Sequence, residues 1–156
     1  LTRAANELIA MRMREGERLS SDMKTRLGVI ADICEKISER APLVVEEQRK
    51  KLNERIESLL SETEIDRARL ATEIALFADK VSIDEELVRL SSHIAAAGEL
   101  LENNGSIGRK LDFIVQEMNR EFNTIGSKAN DKTIASLVID GKAELEKMRE
   151  QVQNFE

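Results

Sequence analysis

Apolar residues recur at spacings of three and four along most of the chain, which is the period of one face of an α-helix. The pattern is clearest between residues 105 and 128, where one stripe consists of Leu111, Ile114, Met118, Phe122 and Ile125. Long stripes of the same kind lie near both ends of the chain. The pattern therefore predicts an all-α protein of about six helices, with long N- and C-terminal helices, that forms a helical bundle or extended hairpins.

Pro42 predicts a boundary in the first half of the chain. Proline lacks an amide proton, and the residue before it avoids helical geometry, so the first helix should end near residue 40. A second helix should follow, which would make 1–62 a long helical hairpin. Residues 63–156 would then form a helical core that carries the chemically informative motifs, within a single helical region that spans 1–156.

The polar face of the 105–128 segment is unusual for a helix that only needs solvation. It mixes asparagine and threonine, which are poorer helix formers, with carboxylates and guanidiniums. Such a mixture suits a bound ligand, a metal or a phosphate. A polar seam between packed helices explains it at least as well, and periodicity does not separate the two interpretations.

Composition agrees with a helical protein and limits its partners. Charged residues make up 35% of the chain, aromatic residues only 3%, and neither tryptophan nor tyrosine occurs. The net charge of −6 argues against bulk attraction to nucleic acid or to an anionic membrane, although the acidity is concentrated in 27–104. Residues 1–26 and 105–128 each carry more basic than acidic groups, so these two segments could face a polyanion.

The chain has one cysteine, Cys34, so no intrachain disulfide can form and an intracellular setting is expected. Its place beside Ile33 in a helical stretch favours a role as a small apolar packing residue. No apolar run approaches the roughly 20 residues that a membrane-spanning helix needs. We therefore expect no association with a membrane.

A set of nitrogen and oxygen ligands becomes available if the third to fifth predicted helices pack together. His93, the only histidine, has Glu86 seven residues before it on the same helix face. Carboxylates from the neighbouring helices would join them, namely Glu73, Glu117 and Glu121. Oxygen-rich sets of this kind favour Mg²⁺ or Mn²⁺. The spacing matches no established metal motif, however, and solvation or ion pairing explains each residue singly.

A nucleic-acid interface is the other interpretation of the same region. Arg109, Lys110, Arg120 and Lys128 accompany a helix start, where free backbone amides favour anions. Base stacking would fall to four phenylalanines, which we expect to be buried. Recognition should therefore rest on phosphates and shape.

Five stretches of the chain carry a resemblance to a known family. One is Arg14-Glu15-Gly16-Glu17, and the others are 73–80, 85–93, 108–131 and 142–154. Together they extend over nearly the whole chain and resemble the C-terminal part of the YicC family, bacterial YicC/YloC-like proteins once called stress-induced proteins. The resemblance implies the helical C-terminal region of a protein whose N-terminal domain is absent from this chain.

The resemblance further implies a metal-dependent endoribonuclease that cleaves RNA phosphodiester bonds in the bacterial cytoplasm. It implies a homo-oligomer, with a hexamer as the suggested form, and Mn²⁺ or Mg²⁺ as the cofactor. From the matched motifs and their helical faces, we assign catalytic roles to His93, Glu117 and Glu121. The expected metal ligands are Glu73, Glu86, His93, Glu117 and Glu121. The expected RNA-binding residues are Arg89, Arg109, Lys110, Arg120 and Lys128.

Two other functions stay open at the level of sequence. The chain could be a non-catalytic RNA-binding or adaptor module that assists other nucleases, or it could be a helical oligomerisation scaffold. The preferred RNA, the cleavage position and the nucleophile (water or the ribose 2′-hydroxyl) are also open.

Overall fold

The computed structural model describes residues 2–59, 67–102 and 107–153. These ranges contain five helices and no strand: α1 Thr2–Leu59, α2 Arg67–Val81, α3 Asp84–Glu102, α4 Gly108–Ala129 and α5 Lys132–Val152. The predicted all-α class is confirmed. The predicted number of about six helices is wrong, since one fewer is present in the described ranges.

The missing boundary is the one predicted at Pro42, which lies inside the 58 residues of α1. An internal proline removes one helical hydrogen bond and destabilises a helix by about 3 kcal/mol. Contacts with the rest of the protein offset this loss, because α1 is anchored on both sides of the proline. Ile37 and Val44 are buried, and the Gln48 side chain donates a hydrogen bond to the Ala129 carbonyl at 2.9 Å.

The prediction of a hairpin over 1–62 is accordingly wrong for the described residues, because α1 continues as one helix to Leu59. The proposed division of the chain near residue 62 falls within 60–66, outside the described residues, and stays a prediction. Residues 23–44 of α1 contribute to the same hydrophobic core as α3, α4 and α5.

The core lies between four helices, which are the middle of α1 together with α3, α4 and α5. Each of them contacts two of the others, and neighbouring helices run in opposite directions. The fully buried large side chains include Met23, Ile30, Ile37, Leu90, Leu111, Met118, Phe122, Ile125, Ile134, Leu145 and Met148. The stripe predicted on α4 is thus confirmed as its buried face, except that Ile114 is only partly buried.

The turn from α4 to α5 fixes the orientation of these two helices. Asn130 adopts a left-handed conformation with φ 45°, which asparagine tolerates better than most residues. The Asp131 side chain then caps α5 by accepting a hydrogen bond from the Ile134 amide at 2.9 Å. Arg40 of α1 reaches the same carboxylate at 2.8 Å, so this turn also anchors the proline-containing part of α1.

Within the residues that the structure describes, no helix is both long enough and apolar enough to cross a membrane.

Candidate functional site: the seam between α3 and α4

Charged side chains and one histidine line one edge of the contact between α3 and α4, which we call the charged seam. Its members are Glu86, Arg89, His93, Glu117, Glu121 and Lys128. Two contacts set its register: Lys128 Nζ lies 2.7 Å from Glu86 Oε1, and an Arg89 guanidinium nitrogen lies 3.7 Å from Glu121 Oε1. Because α3 and α4 are antiparallel, this register brings His93 to the level of Glu117.

Glu86 is one of the two buried carboxylates in the seam, and its two oxygens differ in their contacts. Its side chain is only 5% exposed, and Oε1 accepts the hydrogen bond from Lys128. Oε2 is buried and has no hydrogen-bond partner within the described part of the chain. A buried polar atom without a partner destabilises a fold by about 1–3 kcal/mol. Such atoms are rare in folded proteins, so Glu86 Oε2 is a candidate for contact with a ligand or an ion.

Glu121 of α4 is equally buried, with a side chain that is 5% exposed. Its contact with Arg89 at 3.7 Å is an ion pair rather than a short hydrogen bond. The same guanidinium also bonds Glu85, one turn earlier on α3. Arg89 is therefore shared between an exposed carboxylate and a buried one, and Glu121 keeps part of its capacity to accept hydrogen bonds.

The other predicted ligands differ in position. His93 and Glu117 are half-buried, and Glu117 contacts Arg120 one turn further along α4 at 3.8 Å. Glu73 is exposed on α2, and no ion pair joins it to the seam within the described ranges. The structure therefore gathers four of the five predicted ligands along one edge and leaves Glu73 apart.

A complete metal site is not formed by these residues alone. Across the residues with described side chains, no three of His, Cys, Asp and Glu converge at a spacing that could hold an ion. The seam nevertheless contains oxygens of the right chemistry, above all the unpartnered Oε2 of Glu86. A divalent ion held here would need ligands beyond those that the seam provides.

The five predicted RNA-binding residues fall into two groups. Arg89, Arg120 and Lys128 are each paired with a carboxylate of the same region. Arg109 and Lys110 are exposed in the first turn of α4, and neither forms an ion pair with any residue that the structure describes. Only these two are thus free to contact a phosphate without breaking an existing ion pair.

An open cavity of about 520 Å³ lies beside these two free cations. Its walls are mainly apolar and come from α3 and α4, and its lining residues are Ala96, Glu99, Leu100, Arg109, Lys110, Phe113 and Ile114. Phe113 is 62% exposed, so the expectation that every phenylalanine is buried is wrong at this position. Helical spacing contained the signal, because Phe113 falls between the stripe positions Leu111 and Ile114.

The described residues thus form an all-helical protein in which two buried carboxylates lie close to exposed cations. Residues 37–156 match the family described as endoribonuclease YicC-like, C-terminal. The chain belongs to this family, which confirms the resemblance drawn from its motifs.

Two relatives illustrate the similarity. The chain is 49% identical over 151 residues to a Clostridioides difficile protein named "Probable endoribonuclease YicC". It is 39% identical over 150 residues to a Haemophilus influenzae protein of the same name. Each alignment covers 96% of this chain and 52% of the relative, so the chain spans about half the length of these curated relatives.

Proposed function

We propose that this chain is the helical part of an endoribonuclease that cleaves RNA phosphodiester bonds, and that the charged seam contributes to its catalytic site. Two relatives that share most of this chain are named as probable endoribonucleases. The observation that carries the assignment to the seam is the burial of two carboxylates, Glu86 and Glu121, on facing helices within one charged edge.

Buried carboxylates next to partly exposed cations suit phosphodiester cleavage. A carboxylate or an imidazole at hydrogen-bonding distance from a hydroxyl can act as its general base, which gives Glu117, Glu121 and His93 their proposed catalytic roles. Cations in a partly dehydrated site stabilise negative charge that develops on phosphoryl oxygens. Since Arg89 and Lys128 already hold Glu121 and Glu86, we assign these two cations a positioning role.

The proposal includes a divalent ion, Mn²⁺ or Mg²⁺. The support is chemical: Glu86 offers a buried oxygen without a partner, and Glu121 offers a second carboxylate nearby along the seam. The remaining ligands would be RNA oxygens, water or protein groups outside the described residues. Such an ion would neutralise a phosphoryl oxygen or lower the pKa of a bound water.

The proposal also includes assembly with further copies of the protein in the bacterial cytoplasm. With about 1.5 Å of rise per residue, the 58 residues of α1 extend over about 87 Å. Among the side chains of α1 that the structure describes, the buried ones lie between Met23 and Val44, while Met11 and Met13 are exposed near its N-terminal end. Exposed apolar residues on a projecting helix support a helical contact with a second subunit.

The test is cleavage of a labelled structured RNA by the full-length protein with Mn²⁺, with Mg²⁺ and with EDTA, beside a His93→Ala variant. We expect cleavage that needs a divalent ion and that falls by a factor of about 100 or more in the variant, which is the usual contribution of a general acid or base. RNA that is bound but stays intact under every condition would contradict the nuclease assignment and would favour an adaptor.

A further inference from the structure

We infer that the cavity beside Phe113 is a subsite for a single unpaired nucleotide of RNA. This inference rests on the proposed function, because the occupant is the proposed substrate. In the subsite, the base would lie against the Phe113 ring and the phosphate would contact Arg109 and Lys110. We call this the nucleotide subsite.

The lining of the cavity has two chemically different halves. Ala96 and Leu100 lie one turn apart on α3 and, with Ile114 of α4, form an apolar floor. Arg109 and Lys110 lie four and three residues before Phe113, so all three side chains emerge on neighbouring faces of α4. An apolar floor with two cations at its lip matches a nucleotide, which joins a flat base to an anionic phosphate.

The exposure of Phe113 is the observation that favours a base over a purely electrostatic contact. Its 62% exposed ring is the most exposed aromatic side chain among those the structure describes, in a chain that lacks tryptophan and tyrosine. Apolar rings that only fill space lie inside, as Phe122 does. A base stacked on Phe113 would remove one face of the ring from water.

The two free cations identify the charge of the occupant. Every other cation predicted to bind RNA is neutralised by a carboxylate of the seam, whereas Arg109 and Lys110 have no such partner in the described residues. Glu99 also lines the cavity and already takes part in another interaction. Two cations against one carboxylate leave the lining with a net positive charge, which suits a phosphate.

The position of the cavity connects it with the seam. Phe113 lies four residues, about 6 Å along the helix axis, before Glu117 on α4, and Ala96 lies three residues after His93 on α3. When one base of an RNA strand occupies the subsite, one phosphate of that nucleotide contacts Arg109 and Lys110. The phosphate on the other side of the same nucleotide would then lie near His93 and Glu117. Because a base must leave its stack to enter the subsite, RNA that is unpaired next to the cut should be preferred over a continuous duplex.

The experiment compares RNA affinities of the full-length protein for a single-stranded RNA and for the same sequence in a duplex. Affinities are measured by fluorescence anisotropy in EDTA, with a gel to verify that the RNA stays intact. The variants are Phe113→Ala, Phe113→Trp and an Arg109→Ala/Lys110→Ala double variant. The matched control is Ile139→Ala, because Ile139 is 67% exposed on α5, and α5 contributes no residue to the cavity lining.

We expect Phe113→Ala to weaken single-strand binding by about five-fold to a hundred-fold, as base–aromatic stacking contacts do, while duplex binding changes less than two-fold. Phe113→Trp should bind the single strand at least as tightly as the original protein. The double variant should weaken binding to both RNAs and lower the dependence on salt, since about two phosphate contacts would be lost. Ile139→Ala should behave like the unaltered protein.

Three results would overturn the subsite. The first is that Phe113→Ala and Ile139→Ala bind the single strand equally well while the unaltered protein cuts RNA. This result would contradict the subsite but not the proposed nuclease function. The second is a change in the mass of the assembly by light scattering in Phe113→Ala with unchanged RNA affinity, because the cavity would then hold protein. The third is an unaltered protein that neither binds nor cuts RNA, which removes the proposed function as well. Thermal melting of each variant verifies the fold.

Discussion

Replacement of Gly141 by alanine tests the packing that holds α4 in place beneath the seam. Gly141 is buried on α5 against the ring of Phe122, the residue that follows Glu121 on α4. A Cβ atom at position 141 would lie 2.5 Å from Phe122 Cζ and 2.8 and 3.1 Å from the two Cε atoms. Such distances are well inside van der Waals contact, so either the ring or one of the helices must move.

Two effects of opposite sign determine how much Gly141→Ala changes the free energy of unfolding. Alanine in place of a helical glycine stabilises a helix by about 1 kcal/mol, because it restricts the unfolded chain. Overpacking of a well-packed core destabilises by about 1–3 kcal/mol. Three ring atoms clash and the Phe122 side chain is fully buried, so the upper part of that range applies. We therefore expect a net loss of about 1–2 kcal/mol, which corresponds to a melting temperature lower by roughly 2–8 °C.

The assay is thermal unfolding followed by far-ultraviolet circular dichroism, with Gly28→Ala as the matched control. Gly28 lies in α1, and a Cβ atom built on it would have no contact within 4 Å. The control should therefore raise the melting temperature by a few degrees, through the helix-propensity effect alone. If Gly141→Ala were as stabilising as Gly28→Ala, the close packing of α4 on α5 would be refuted.

Three further predictions address ion pairs and the cysteine. In urea unfolding, Lys128→Met should destabilise the fold by about 1–3 kcal/mol, because it leaves the buried Glu86 carboxylate without its cation. Adding Glu86→Gln to this variant should restore part of the lost stability, and strictly additive effects of the two substitutions would contradict their coupling. Arg40 holds the pKa of Asp131 below its usual value, so the pair stabilises fully above the pKa of an unfolded aspartate, about 3.9, and progressively less below it. Asp131→Asn, which keeps a capping oxygen, should thus destabilise at neutral pH and lose its effect in acid; a pH-independent loss would refute the pairing. Burial raises the pKa of Cys34 to about 11, so the native thiol should react with a disulfide reagent near neutral pH far more slowly than the unfolded one, and equal rates would contradict its burial.

The buried faces of the helices could be read from the sequence because burial follows the helical period. On α4, Leu111, Met118, Phe122 and Ile125 were identified from their spacing and are all fully buried. The spacing of apolar residues within one helix is enough to identify its buried face, even when the partner helix is unknown. Phe113 lies outside this stripe, and its 62% exposure agrees with that position.

Pro42 shows the limit of local reasoning. Proline opposes a continuous helix through geometry within one turn, so a local rule places a helix end near Pro42. The outcome depends on contacts that are distant in sequence, such as Arg40 with Asp131 and Gln48 with the Ala129 carbonyl. Tertiary contacts of this kind override a local propensity, and a sequence without its fold does not reveal them.

The seam shows the same limit for function. The residue types were visible in the sequence, but their partners depend on the antiparallel register of α3 and α4. Lys128 was predicted to bind RNA, and in the structure it holds the carboxylate of Glu86. Arg89 likewise contacts Glu121. Only the three-dimensional register separates these paired cations from Arg109 and Lys110, which pair with no carboxylate among the described residues.

The rate of RNA cleavage by a Glu121→Gln variant of the full-length protein tests the central claim most directly. Glutamine keeps the size of the side chain and removes its charge, and Glu146→Gln, on the exposed side of α5, is the matched control. The rate is measured in single-turnover assays with saturating protein, together with RNA affinity and melting temperature. The account predicts a fall by a factor of about 100 or more in Glu121→Gln, with RNA affinity retained and the control unaffected. Cleavage at the original rate by a folded Glu121→Gln variant would contradict a catalytic role for the seam.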